Sequence, residues 1–279
     1  MAAGKRTDTT EETPGGIQHT MTFADRTTFA VKQIARVLAD TLIPPACLAC
    51  HQPLATHDTI CAKCWSNVTF IRPPICDSLG IPLPFDPGNS DGQPLFSAAA
   101  LARPRSYDRA RATAIFSGVM RDLIHALKYG DRHDARYLFG RWLLQTAGDL
   151  LEDANLIIPV PLHPRRLFSR RFNQSAILAL ELSKLAGRPY EPLILHRRTN
   201  TISQVGLSRE QRRKNLQGAF AVPPTVANRI LGKNVLLVDD VITTGTTVEA
   251  CARVLKKAGA ARVDVAALAI VADDHQISP

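Results

Sequence analysis

The run Val235-Leu236-Leu237-Val238-Asp239-Asp240-Val241-Ile242-Thr243-Thr244-Gly245-Thr246-Thr247 holds two kinds of chemistry side by side. Its four leading apolar residues predict a central strand. Two adjacent carboxylates, Asp239 and Asp240, follow at the C-terminal end of that strand, where open α/β sheets bind ligands. A threonine-rich turn then leads into a predicted helix. Gly245 can turn backbone N–H groups inward without steric cost. The hydroxyls of Thr243, Thr244, Thr246 and Thr247 can donate to phosphate oxygens, and the helix N-terminus adds free donors and a favourable dipole. The loop suits a monoester phosphate, and the carboxylates suit a polyol or a metal ion. Together they describe a site for a sugar phosphate. An ordinary strand-turn-helix is the alternative, and it would leave a double acid at a buried strand end without a partner. The run is neither a GxxxxGK[ST] loop nor a GxGxxG fingerprint.

A second constellation is Cys47-x2-Cys50-x10-Cys61-x2-Cys64. Four thiolates in two knuckles can close tetrahedrally round one Zn²⁺, leaving no position open, so a structural site is expected. A redox CxxC is the alternative, but two coupled pairs favour the metal. His51 and His57 lie between the pairs and are expected at the surface. Cys251 falls on the apolar side of the helix after the threonine loop and is expected in the core.

Charge points the same way as the loop. The chain of 279 residues carries 34 Lys and Arg against 25 Asp and Glu, a net +9. Residues 155–220 alone hold 12 Lys and Arg against three Glu and no Asp, which is the whole excess. A basic surface concentrated in one segment fits an anionic ligand or partner, such as a polyphosphate or a nucleic acid. Aromatic residues are only 6%. Trp65, Phe168 and Phe172 are candidates for stacking on single-stranded bases, and each serves equally well as packing.

These residues need elements to position them. Residues 1–22 read as a disordered tail. Val31, Ile34, Leu38 and Leu42 predict an amphipathic helix over 26–43, stopped by Pro44 and Pro45. Residues 26–95 are taken as an N-terminal helix and zinc-binding module, with 72–95, rich in Pro, Gly, Asp and Asn, as a loop or linker. From 98 to 272 strand and helix signals alternate. Strands are predicted at 111–116, 156–160, 235–238 and 263–268. Helices are predicted at 119–129, from a cap at Asp134 to Leu151, at 177–185 and at 247–258. The alternation predicts an α/β domain with a parallel sheet flanked by helices. No apolar run reaches the roughly 18 residues needed to cross a bilayer. The first 20 residues lack the apolar centre of a signal peptide, so a cytoplasmic protein is expected.

The Val235-to-Thr247 run resembles the phosphoribosyl pyrophosphate (PRPP) motif of type I phosphoribosyltransferases, unbroken over its length. That resemblance implies that Asp239 and Asp240 are the catalytic acids that bind the ribose hydroxyls. It implies that Thr243, Thr244, Gly245, Thr246 and Thr247 hold the 5-phosphate. In those transferases a loop after an early strand cradles pyrophosphate, which points to Arg165, Arg166 and Arg170 here. The segment from His196 to Phe220 falls where they keep a mobile hood, with Arg197, Gln204, Arg212 and Asn215 as candidates. Other blocks follow in order: the paired cysteines, LKYGD (Leu127 to Asp131), PVPLHPRR (Pro159 to Arg166), RRFNQ (Arg170 to Gln174) and the block from Gln204 to Phe220. With them the chain resembles, over about residues 40–272, the ComF family of competence-associated phosphoribosyltransferase-like proteins of bacteria. The resemblance implies a zinc-binding module on a type I phosphoribosyltransferase domain, with PRPP and Mg²⁺ as ligands. It also implies the handling of single-stranded DNA during natural transformation, with a helicase partner. An acceptor for phosphoribosyl transfer is not implied. Two readings follow: a phosphoribosyltransferase, or a non-catalytic single-stranded-DNA adaptor with PRPP as a regulatory ligand. The chain departs from the family in its second cysteine set. Cys76 remains, Leu79 stands where its partner belongs, and the later pair is lost near Leu95 and Ala98. One metal site is expected, with a second lobe packed by apolar residues.

Overall fold

The computed structural model describes residues 44–84, 93–129, 134–163, 167, 172–198, 211, 216 and 218–271. The predicted tail and the helix over 26–43 lie outside them. In chain order the elements are α1 (Ala62–Ser66), α2 (Ala98–Ala102), β1 (Ala110–Ile115), α3 (Gly118–Tyr129), α4 (Ala135–Thr146), α5 (Gly148–Asp153), β2 (Leu156–Pro159) and α6 (Gln174–Ala186). They continue with β3 (His196–Arg197), β4 (Phe220–Ala221), a 3-10 turn (Pro224–Arg229), β5 (Asn234–Ile242), α7 (Thr246–Lys257) and β6 (Arg262–Ile270).

Strands β1, β6, β5 and β2 lie in that order in one sheet, every neighbouring pair parallel. The short β3 and β4 form a separate antiparallel pair. Parallel neighbours need crossovers, and the helices between the strands supply them. Covered on both faces, β5 is apolar at consecutive positions. Leu236 and Val238 join the cluster that holds Met120, Leu123, Phe139 and Leu178. Val235 and Leu237 join the cluster that holds Val248, Cys251 and Leu255. Each such side chain contributes about 1.5–3 kcal/mol by leaving water. Cys251 is fully buried, as the pattern of α7 predicts.

Three local readings change. The strand predicted at 235–238 runs on to Ile242, so both acids belong to the hydrogen-bonded ladder and do not follow it. The helix capped by Asp134 ends at Thr146 and restarts at Gly148, because glycine is a poor continuation for a helix. The segment read as a linker from 72 holds a second ribbon lobe.

That lobe repeats the first, bond for bond. In the first, Cys47 N–H donates to the Gln52 carbonyl at 2.8 Å, His51 N–H to the Cys47 carbonyl at 3.0 Å, and Ala46 bridges Pro53. In the second, Cys76 N–H donates to the Ile81 carbonyl at 2.8 Å, Gly80 N–H to the Cys76 carbonyl at 2.8 Å, and Ile75 bridges Pro82. His51 and Gly80 take matching left-handed conformations, φ +62° and +69°. Each leading sulfur also accepts a backbone N–H at 3.3 Å, from Cys61 onto Cys47 and from Ser97 onto Cys76. Cys61 and Ser97 each cap a five-residue helix, accepting from Cys64 N–H at 3.4 Å and Ala100 N–H at 3.2 Å. So Cys47, Cys50, Cys61 and Cys64 correspond to Cys76, Leu79, Ser97 and Ala100. The lost ligand positions are therefore 79, 97 and 100, and not those near Leu95 and Ala98. Cys76, Leu79 and Ala100 are buried, which makes this lobe apolar as expected.

The lobes straddle the edge strand β1. The first packs into the cluster of α3 and α4, the second into the cluster of α7. Phe70 bridges Ala114, while a Cβ on Gly80 would sit 2.9 Å from the Ala110 carbonyl oxygen. Trp65 of α1 packs on Phe70 with ring centroids 4.7 Å apart and on Trp142 of α4 at 5.8 Å. Among the described residues, no helix is long and apolar enough to cross a membrane.

Candidate functional site

Alternation along β5 sends its two acids to different surroundings. Asp240 shares the parity of Leu236 and Val238 and meets α3, where its Oδ2 lies 2.8 Å from Lys128 Nζ. Asp239 is 9% exposed. Its Oδ1 accepts from the Ser175 hydroxyl at 2.9 Å and from the Asp240 backbone N–H at 2.9 Å. Burial first, and the neighbouring Asp240 charge second, push the Asp239 carboxyl up to about 7, against the pull of those two hydrogen bonds and Lys128.

The turn beyond β5 begins α7. Gly245 takes φ +75°, which a side chain would resist. The hydroxyls of Thr244 and Thr246 are 2.8 Å apart. Thr246 is buried and Thr243 exposed. Arg105, from the stretch between α2 and β1, donates from Nη1 to the Thr244 carbonyl at 3.4 Å and lies 3.5 Å from Glu249 of α7. Asn173 donates from Nδ2 to the Val160 carbonyl at 3.0 Å, tying the end of β2 to the start of α6. Its Oδ1 is buried with no hydrogen-bond partner among the described residues.

The structure thus brings Asp239, Asp240 and Thr243 to Thr247 together at one strand end. Arg197 does not lie in an open loop: it is buried in β3, its guanidinium 5.3 Å from the centroid of the Phe220 ring. Arg165, Arg166, Arg170, Gln204, Arg212 and Asn215, and Phe168 with them, lie outside the described residues. Lys128, Ser175 and Arg105 were missed by sequence reasoning. Lys128 sits inside the LKYGD block and Ser175 directly follows RRFNQ, so those blocks pointed to them. Nothing local pointed to Arg105. Trp65, a stacking candidate, is 48% exposed and lines a cavity of about 540 Å³ with Phe70, Arg72, Arg111 and Trp142. No residue of the threonine loop lines that cavity.

The four sulfurs of Cys47, Cys50, Cys61 and Cys64 lie within 4.8 Å of one another, with Cys50 and Cys61 at 3.7 Å. A zinc–sulfur bond of about 2.3 Å implies a tetrahedron edge of about 3.8 Å, so the set fits a structural zinc. Burial and hydrogen bonds from the other three cysteines push the Cys64 thiol well up. A divalent cation replaces the protons that such a crowded cluster would otherwise keep. His51 and His57 are exposed.

Residues 38–94 match the double zinc ribbon domain, and residues 185–277 match the phosphoribosyl transferase domain. The chain is 33% identical over 231 residues to the DNA utilization protein YhgH of Shigella flexneri, covering 80% of this chain and 96% of that protein. It is 40% identical over 113 residues to Competence protein F of Haemophilus influenzae, covering 40% of this chain and 49% of that protein. Among solved structures, the glutamine PRPP amidotransferase from B. subtilis aligns with 51% of this chain and 30% of its own, at TM-score 0.36 and 24% identity. A double zinc ribbon joined to a phosphoribosyltransferase-type parallel sheet, with the YhgH relative matched over 96% of its length, places the chain in the ComF family.

Proposed function

We propose that the chain binds PRPP with Mg²⁺ at the end of β5. One observation carries this reading: a carboxylate pair lies two residues before the end of a central strand, and a left-handed glycine opens the helix just beyond. In this reading Asp239 and Asp240 accept from the ribose hydroxyls. The backbone donors and hydroxyls of residues 243–247 take the 5-phosphate. Arg165, Arg166 and Arg170 take the pyrophosphate, whose charge their forked donors suit. Asp240 is paired with Lys128 Nζ at 2.8 Å, so a Mg²⁺ at this carboxylate would take the place of the ammonium. Mg²⁺ there would be held by Asp240 and the pyrophosphate and would neutralise the latter's charge. Positioning and electrostatics of this kind suit displacement of pyrophosphate from the anomeric carbon by a nucleophile. Calorimetry with PRPP and Mg²⁺, beside an Asp239→Asn/Asp240→Asn double variant, tests the binding. Saturable binding lost in the variant supports the site, and a folded, zinc-loaded wild type that binds nothing overturns it.

A second reading is favoured by the basic segment 155–220 and by the similarity to proteins named for DNA utilization and competence. In it the chain is an adaptor for single-stranded DNA, PRPP is a regulatory ligand, and the ribbon module docks a helicase. Phosphate contacts release counterions, so single-strand affinity would fall steeply with salt. Titration of an oligonucleotide at several salt concentrations separates the readings: a steep slope with no pyrophosphate release favours the adaptor.

A further inference from the structure

We propose that Arg105 is a positioning residue of the threonine loop: it aims the Gly245 N–H into the phosphate cradle by holding the other end of the same peptide group. The inference rests on the reading of that loop as a sugar-phosphate site. Arg105 Nη1 donates to the Thr244 carbonyl at 3.4 Å and lies 3.5 Å from Glu249 Oε2 in the first turn of α7. Both side chains are mostly buried, at 13% exposure each. A Cβ on Gly245 would lie 3.4 Å from the same Nη1 and 3.6 Å from the Tyr107 hydroxyl. One guanidinium therefore touches the loop, its glycine and the helix that follows.

The Thr244 carbonyl and the Gly245 N–H belong to one planar trans peptide and point in opposite directions. Fixing the carbonyl on the Arg105 side fixes the N–H on the other. That N–H stands at the N-terminus of α7, where the first donors have no partner within the helix. Arginine suits the task because its rigid fork serves a carbonyl and a carboxylate at once, whereas lysine is a point charge on a flexible stem. Glu249 balances the charge of Arg105, so the residue acts through geometry and not as a direct phosphate ligand. Its Nε is buried without a hydrogen-bond partner among the described residues. The loop and Glu249 are thus its polar anchors.

This gives the second ribbon lobe a task. Cys76 and Ser97 set the start of α2, and α2 ends at Ala102, three residues before Arg105. The lobe fixes where Arg105 stands, and Arg105 fixes how the loop presents its donors.

The test is calorimetry of wild type, Arg105→Met and Arg105→Lys with two probes, ribose 5-phosphate and Mg²⁺-pyrophosphate. The Gly245 amide resonance is followed alongside. Arg105→Met is expected to bind ribose 5-phosphate about tenfold more weakly, the size of one hydrogen bond. Mg²⁺-pyrophosphate binding stays unchanged, because that probe does not use the loop. The downfield shift of the Gly245 amide on adding ribose 5-phosphate shrinks. Arg105→Lys, which keeps stem and charge but not the fork, shows the same selective loss to a smaller degree, and it decides the matter where Arg105→Met fails to fold. Equal ribose 5-phosphate binding by wild type and variants overturns the proposal alone, as does an equal loss for both probes. A wild type that does not bind ribose 5-phosphate overturns the sugar-phosphate reading, and this inference with it.

Discussion

Lys128 Nζ and Asp240 Oδ2 stand 2.8 Å apart on different elements, α3 and β5, with 16% and 14% of their side chains exposed. The pair ties the end of α3 to the C-terminal part of β5. Without Lys128, Asp240 would lose its paired cation while the Asp239 carboxyl stays next to it in the strand. Removing one partner of a fully buried pair costs about 3–5 kcal/mol, and the partial exposure here lowers the expectation for Lys128→Met to about 2 kcal/mol. The double variant Lys128→Met/Asp240→Asn should regain most of that loss. Urea unfolding of the two single variants and the double variant measures the coupling. Single effects that simply add would mean that the pair does not hold the two elements.

Asp239 gives the fold a pH dependence of unusual sign. Its carboxyl is held at about 7, above the roughly 3.9 of an unfolded chain. Between those values the folded state keeps a proton that the unfolded state has released. Stability therefore falls as pH rises from about 4 to about 7, and the loss is complete above 7. Asp239→Asn removes this titration. Relative to wild type, the variant should gain stability between pH 5 and pH 8, by a ceiling of about 2.7 kcal/mol, two pH units of linkage. Denaturation midpoints across that range read it, and parallel profiles for the two proteins would refute the account.

The acidic pair and the loop were legible because their logic is local. Thirteen consecutive residues carry the strand, the acids, the turn chemistry and the helix start. What completes the site comes from far away in the chain. Ser175 is 64 residues from Asp239, and Arg105 is 139 from Thr244. Periodicity says nothing about such pairings, because the order of strands in the sheet decides them. The second ribbon lobe was expected from the resemblance alone, and composition concealed it for a different reason. Once Leu79, Ser97 and Ala100 replace cysteines, a knuckle has the same proline and glycine content as a linker. Its fold persists through backbone hydrogen bonds and burial, which composition does not display.

Gly245 offers a sharper test of the loop than any threonine. At φ +75° an alanine would meet both backbone strain of about 1–2 kcal/mol and the Arg105 guanidinium 3.4 Å from its Cβ. Gly245→Ala should leave the protein folded and zinc-loaded while weakening ribose 5-phosphate binding about tenfold. Threonine hydroxyls can be replaced by water, but the turn cannot be remade without its left-handed residue. Calorimetry beside a melting curve separates the two effects. An alanine variant that binds as wild type would remove the backbone donors of the turn from the phosphate site.

The correspondence between the two lobes predicts metal content. Wild type should hold one zinc per chain, by elemental analysis of dialysed protein. Cys61→Ser should lose it, and Trp65 emission should change, since Trp65 directly follows Cys64 and packs on Phe70 and Trp142. The triple variant Leu79→Cys/Ser97→Cys/Ala100→Cys restores the ligand pattern around Cys76. Its leading sulfur already accepts the Ser97 N–H at 3.3 Å, the distance at which Cys47 accepts from Cys61. That variant should bind a second zinc. Without metal it should be the less stable protein, because truncating a buried leucine costs about 2 kcal/mol or more. With metal the ligand bonds should offset that loss, since structural zinc binding is folding free energy. A folded triple variant that still holds a single zinc would falsify the equivalence of the two lobes.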